Sequence, residues 1–241
     1  MKKAAGIIPA RYQSSRFPGK PLAMILGKPM IQHVYEGAKK ARSLDQLIIA
    51  TDDERIFDAA KKFKADVVMT SGAHASGTER AAEVARKLDA PLIITIQGDE
   101  PLIEARMIDG LVSVLQAGEA VMASLMARVE DLGLIKDPHI AKVVVDREGW
   151  ALYFSRQPIP TAATDFFFQH IGIYGFQREF LLKFSRLEPA RLEKFEKLEQ
   201  LRALENGYRI KMVEIPQPTL SVDTPQDIIK VERFLRREAI K

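Results

Sequence analysis

The sequence predicts an α/β fold: a mostly parallel sheet flanked by helices, with a smaller mixed α+β lobe attached to it. Short apolar runs alternate with amphipathic helical patterns from residue 4 to residue 116, the rhythm of right-handed β-α-β crossovers. From 121 to 176 that rhythm gives way to strand-like runs joined by turns. Helical spacing returns from Arg178 to Asn206, and a late strand and helix follow.

In chain order, Ala4 to Ile8 reads as a buried strand that breaks at Pro9 into a loop carrying Arg11, Arg16 and Lys20. Lys28-Pro29 opens a helix, with proline in its permitted first turn and Ile31, Val34, Tyr35 and Ala38 on one apolar face. Gln46 to Ala50 is a second strand, and Thr51-Asp52-Asp53 caps a helix from Glu54 to Phe63. Val67 to Met69 is a third strand. A polar loop, 70–78, leads to a helix from Glu79 to Leu88. Pro91 to Ile96 is a fourth strand with a tight exit at Gln97-Gly98-Asp99-Glu100-Pro101, and Glu104 to Gln116 is helical. The loops at Arg11, Ser76-Gly77 and Asp99 all follow strands, so they share one edge of the sheet, where open α/β sheets bind ligands.

In the second half, Val121 to Met126, Ile140 to Val145 and Ala151 to Phe154 are strand-like, with a hairpin turn at 146–149. An extended run opens with Phe166-Phe167-Phe168, which is either core or subunit interface. In the helical stretch that follows, Glu196, Glu199 and Gln200 fall on neighbouring positions of one helix face, and Asn206-Gly207 is a stop. Lys211 to Ile215 is a late strand, and Thr224-Pro225 starts the final helix. We expect one unit of two lobes, 1–120 with 207–241 and 121–206.

The 241 residues are 46% hydrophobic and 28% charged, ordinary for a globular protein. The formal charge of +4 alternates in sign along the chain, so no nucleic-acid role is expected. There is no cysteine, which excludes disulfides, thiolate catalysis and Cys-based metal sites. Met1-Lys2-Lys3 lacks the apolar core of a signal peptide, and no apolar run approaches the roughly 20 residues of a membrane span. The expectation is a soluble cytoplasmic protein without membrane insertion.

Three cations on one loop repel each other until an anion binds among them, and guanidinium forks match phosphate oxygens. The spacing is not that of a Walker A loop, and on this stretch alone a solvated basic loop is an equal alternative. Asp99, beyond the most apolar strand, is placed to hold a hard cation such as Mg²⁺. Asp223 is a second such carboxylate, though Asp before Thr-Pro is equally a helix cap. His170, Gly172 and Tyr174 share one face of an extended segment, where a lone histidine is by default a packed, hydrogen-bonded residue. Arg156 is equally an exposed edge charge, and Glu196, Glu199 and Gln200 equally a solvated face. His33, His74 and His139 have no ligand spacing.

The order Ile8-Pro9-Ala10-Arg11 through Lys20-Pro21-Leu22, Ala50-Thr51-Asp52, Ser76-Gly77-Thr78-Glu79-Arg80, Gln97-Gly98-Asp99-Glu100-Pro101 and Lys142-Val143-Val144 resembles the 3-deoxy-manno-octulosonate (Kdo) cytidylyltransferases. The blocks Tyr153-Phe154-Ser155-Arg156, His170 to Phe176, Leu198-Glu199-Gln200-Leu201-Arg202 and Val222-Asp223-Thr224-Pro225 extend the likeness almost end to end. Gln169, Leu220-Ser221 and Pro138-His139-Ile140-Ala141 depart from the usual spellings.

The resemblance implies a Rossmann-like nucleotidyltransferase sheet whose smaller lobe forms substrate and dimer surfaces. It implies that CTP and Kdo give CMP-Kdo and pyrophosphate with Mg²⁺, for lipopolysaccharide assembly. Arg11 and Lys20, with Asp99 and Asp223, would be catalytic, the two aspartates as metal ligands. Ala10, Arg11, Arg16, Lys20, Thr51, Asp52, Ser76, Gly77 and Arg80 would bind the nucleotide. Gln97, Arg156, His170, Tyr174, Glu199 and Gln200 would contact the sugar acid. A second metal ion could activate the attacking hydroxyl, so no protein base is required. Another acid sugar, the 8-amino analogue or a sialic acid, is the alternative substrate, and a homodimer is expected.

Overall fold

The computed structural model describes residues 3–14, 17–163 and 165–238. The first half runs β1 (Ala4–Ala10), a two-residue ribbon of β2 (Met24–Ile25) and β3 (Lys28–Pro29), α1 (Met30–Ala38), β4 (Gln46–Thr51), α2 (Glu54–Lys62), β5 (Asp66–Met69), α3 (Gly77–Ala85), β6 (Leu92–Thr95) and α4 (Ala105–Gln116). The second half runs β7 (Met122–Val129), β8 (Lys142–Val145), β9 (Ala151–Ser155), β10 (Phe167–Gln177), α5 (Arg178–Phe184), α6 (Arg191–Glu196), α7 (Leu201–Glu205), β11 (Ile210–Ile215) and α8 (Pro225–Glu238). The sheet order is β11-β7-β10-β6-β1-β4-β5, with the β8–β9 hairpin branching from β10. β6, β1, β4 and β5 pair in parallel, as the alternating half predicts. The later strands hydrogen-bond directly onto that sheet, because β10 runs antiparallel to both β6 and β7.

Both faces of the sheet are covered, so β1, in the middle of the parallel half, is apolar and buried at every position. Ala4 and Ile8 pack with Ile31, Val34 and Leu111 on one face, whereas Ala5 and Ile7 pack with Ala81, Phe154 and Phe176 on the other. Each buried Ile, Val, Leu or Phe among them contributes about 1.5–3 kcal/mol to the folded state.

Two sequence expectations need correction. The first strand does not break at Pro9 but continues through it to Ala10. Ile7 accepts from the Ile96 N–H, so Ile7 and, two residues on, Pro9 turn their backbone polar groups toward β6. β6 ends at Thr95, level with Ile7, so the N–H that proline lacks would have met no ladder partner. The helical stretch 178–206 holds three helices, and Lys197, with φ 54°, ends the second, α6, in a left-handed turn. Glu199 and Gln200 lie in the turn before α7 rather than on a helix face shared with Glu196.

Capping followed the sequence more closely. Asp53 accepts from the Arg55 N–H at the start of α2, and Ser76 accepts from the Glu79 N–H at the start of α3. Phe167 is buried against Val129 and Ile135, while Phe166 and Phe168 are half-buried and meet edge to face.

Candidate active site

The loops after β1, β5 and β6 converge on a cleft of about 250 Å³ lined by Ala10, Arg11, Lys20, Ser76, Gly77, Arg80, Gln97 and Asp99, with Asp223 from the loop before α8. Its floor is made close by two glycines. A Cβ on Gly77 would lie 3.1 Å from Pro9 Cγ, and one on Gly98 would lie 3.1 Å from the Pro9 carbonyl oxygen. Gly19, at φ 72°, donates its N–H to the Tyr12 carbonyl and closes the basic loop. The Tyr12 ring packs on Gly19 and carries the Arg55 guanidinium 3.2 Å above its centre. Arg16 lies outside the described residues.

Lys20 is the hub of the cleft. Its ammonium stands 2.5 Å from Asp99 and 3.7 Å from Asp223, and donates to the Val222 carbonyl at 2.9 Å. The Val222 N–H donates to the Asp99 carbonyl, which joins the loop before α8 to the loop after β6. Two carboxylates far apart in the chain thus face one cation, and the ammonium is a stand-in for any other. Among the described residues no group of three or more His, Cys, Asp or Glu could hold a metal ion. The pair therefore fits Mg²⁺ in its usual mode, with one or two protein carboxylates and the remaining oxygens from phosphate and water. Behind Asp99, burial and the Asp99 charge push the Glu100 carboxyl up to about 8.

Arg80 is 3% exposed; it donates to Asp52 at 2.7 Å and also to the Thr70 hydroxyl. Thr51 is fully buried and Asp52 reaches the cleft only through Arg80, so neither lines the wall as expected of them.

A second, larger cavity of about 770 Å³ adjoins the first and shares Arg11, Ser76, Gly77 and Gln97 with it. Arg156, His170, Tyr174, Glu199 and Gln200 all line it. The β10–β7 register shifts between Ile171 and Tyr174, and the His170 and Tyr174 rings lie 5.6 Å apart, centre to centre. Tyr174 donates to Gln200 Oε1 at 3.0 Å, and Gln200 Nε2 meets His170 Nδ1 at 3.2 Å. His170 Nε2 meets the Ser124 hydroxyl at 2.8 Å, and that hydroxyl donates to the Ile173 carbonyl. The pattern fits a neutral imidazole protonated on Nε2. Burial, helped by nearby Arg156, holds its pKa down to about 3. Burial raises the Tyr174 phenol. Glu199 accepts from the Thr78 hydroxyl at 2.6 Å, while its buried Oε1 has no hydrogen-bond partner. Burial raises its pKa, opposed by the Thr78 and Ser76 hydroxyls.

Sequence reasoning missed what surrounds Arg156. Glu196 accepts from the Arg156 N–H at 3.0 Å, and Lys142, wholly buried, donates to the Arg156 carbonyl at 2.7 Å. The one available signal was a lysine heading an apolar run, Lys142-Val143-Val144-Val145.

The cytidylyltransferase family model matches residues 5–212. The 3-deoxy-manno-octulosonate cytidylyltransferase of Solibacter usitatus is 50% identical over 245 residues, covering 100% of this chain and 97% of that one. The enzyme of the same name from Syntrophobacter fumaroxidans is 51% identical, with 99% of each chain covered. The chain belongs to the 3-deoxy-manno-octulosonate cytidylyltransferase family, a family of nucleotidyltransferases. A solved CMP:2-keto-3-deoxy-manno-octonic acid synthetase, complexed with CTP, superposes on this family member with a TM-score of 0.92, at 40% identity and with 98% and 99% of the two chains covered. A 4-diphosphocytidyl-2C-methyl-D-erythritol synthase from Anaerococcus prevotii shares the fold at a TM-score of 0.65 and 14% identity, covering 98% of this chain and 96% of its own.

Proposed function

We propose that this enzyme couples CTP to Kdo, giving CMP-Kdo and pyrophosphate for lipopolysaccharide assembly, with Mg²⁺ held by Asp99 and Asp223. The observation that carries the reading is the junction of the two cavities. The cleft with Lys20 and the paired aspartates opens, across Arg11, Ser76, Gly77 and Gln97, onto the cavity with Arg156 and Glu199. A nucleotide in the first places its α-phosphate beside a sugar in the second. The two share a border of the kind in-line transfer requires.

Arg11 and Lys20 bind phosphate oxygens, together with Arg16 by the family resemblance. Charge neutralisation and alignment are most of what phosphoryl transfer asks of a protein. Ala10, Ser76, Gly77 and Arg80 hold the nucleoside, with Thr51 and Asp52 supporting Arg80 from behind. Arg156 grips the sugar's carboxylate, and Gln97 and Glu199 meet its hydroxyls. His170, Tyr174 and Gln200 form a closed hydrogen-bonded wall that keeps the pocket's shape. His170 is neutral and both its ring nitrogens are engaged, so it shuttles no proton. Bound Mg²⁺ would neutralise phosphate charge and lower the pKa of a coordinated hydroxyl. In this arrangement the nucleotide lies on residues of 1–120 and 207–241, and the sugar on those of 121–206.

The test is product identification by mass spectrometry with CTP, Mg²⁺ and a panel of Kdo, its 8-amino analogue and a sialic acid. The reading expects CMP-Kdo with stoichiometric pyrophosphate. Exclusive turnover of either other sugar would move the assignment to that acid. CTP binding with no pyrophosphate from any sugar would overturn it.

A further inference from the structure

Both ends of Arg156 are referenced to one buried ammonium. We propose that Lys142 is a positioning residue for the sugar half of the site, fixing Arg156 in the pose that receives the substrate's carboxylate. The inference rests on the reading of Arg156 as the carboxylate's partner.

Lys142 begins β8 and is 0% exposed, a burial that a lysine tolerates only when its donors are met. Its ammonium donates to the Asp137 carbonyl and to the Arg156 carbonyl, each at 2.7 Å. The Arg156 guanidinium donates through Nη1 to the Pro138 carbonyl at 2.9 Å, one residue beyond Asp137. Lys142 therefore holds the backbone of Arg156 directly, and holds its head through the turn that the head grips. The Glu196 carboxylate holds the Arg156 N–H from the other side at 3.0 Å.

Among the described residues the Arg156 side-chain bonds run through Nη1. The Nε–Nη2 edge is the one by which Arg202 grips Glu193 and Arg55 grips Asp53 in this same chain. A sugar carboxylate can take that edge of Arg156 bidentately, provided the guanidinium does not rotate. A lysine serving stability alone would leave such a fork free to turn. Here its two acceptors are the carbonyl of the fork's own residue and the turn beneath the fork.

The experiment measures kcat and the KM values for CTP and Kdo in wild type, Lys142→Met, Arg156→Met and the double variant, with thermal unfolding of each. Lys142→Met should raise the sugar KM about tenfold, the scale of one lost charge-assisted hydrogen bond. The CTP KM and kcat should stay within about threefold, because the nucleotide cleft makes no bond to Lys142. In the Arg156→Met background, Lys142→Met should add less than about twofold, since the two act through one group. Multiplying effects in the double variant would overturn the proposal, as would an unchanged sugar KM in Lys142→Met when Arg156→Met is impaired. An unchanged sugar KM in Arg156→Met would remove the carboxylate reading and the proposal with it. Lys142→Gln, neutral but still a donor, replaces Lys142→Met if that variant does not fold. Failure of both to fold would make Lys142 a stability residue and contradict the inference.

Discussion

Lys20 between Asp99 and Asp223 shows why neither aspartate could be assigned by spacing alone. They approach only because the Val222 N–H reaches the Asp99 carbonyl, a contact between loops with no local sequence signal. Family resemblance singled them out, and the geometry brings them to a common cation. Asp99→Asn and Asp223→Asn should each lower kcat by about 100-fold, the cost of losing charge stabilisation at a transition state. Turnover within about threefold of wild type in either would end the metal assignment. His170 yields a second expectation. Its pKa is about 3 folded against 6.5 as the ordinary value, so between those values the unfolded chain binds the extra proton. The contribution is therefore complete above about pH 6.5 and is lost as pH falls, by up to about 1.4 kcal/mol per pH unit. Urea unfolding of wild type and His170→Gln from pH 4 to 7 checks this: the wild-type curve should fall more steeply on acidification. Parallel curves would mean that His170 is not held neutral. Lys142 escaped the sequence reading because a lone charge heading an apolar run looks like a solvent-facing strand end.

At the scale of elements, the strands and helices of the parallel half were legible because both faces of the sheet are buried and polar loops end in side-chain caps before α2 and α3. Asp53 was signalled as a cap and satisfies a free N–H at the start of α2, whereas Ser76, read only as part of a polar loop, does the same for α3. The failure at Pro9 is a place where strand pairing overrides local propensity, and at Lys197 a left-handed residue ends α6 without a glycine to announce it. Asp53 also grips Arg55, and Arg55 lies on Tyr12, so the cap of α2 is tied to the basic loop. Asp53→Ala should cost about 1 kcal/mol of stability. It should also raise the CTP KM about two- to fivefold through the loosened cation–π stack, leaving the Kdo KM unchanged. A change confined to the Kdo KM would show that the loop is positioned by something else.

Over the whole molecule, one sheet runs beneath both cavities, and its β6–β10 pairing joins the two halves of the site. That pairing was not legible: antiparallel strands following a parallel half do not announce which edge they join. Among the described residues no helix is long and apolar enough to cross a membrane. Leu152 on edge strand β9 is 60% exposed, and Phe195 on α6 is 70% exposed. Both are large apolar side chains that a single chain leaves in water. Covering such a surface is a reason for the homodimer we expect. Light scattering at micromolar concentration should give the mass of two 27.1 kDa chains, and the mass of one would refute it.

The most direct measurement of the central claim is Mn²⁺ binding followed by electron paramagnetic resonance, with and without CTP, in wild type and in the two aspartate variants. With Asp99 and Asp223 as its two carboxylates, wild type should retain Mn²⁺ tightly when CTP is present and weakly when it is absent, and either substitution should abolish the retention. Equal binding without nucleotide, or binding that survives both substitutions, would place the metal elsewhere and contradict the account.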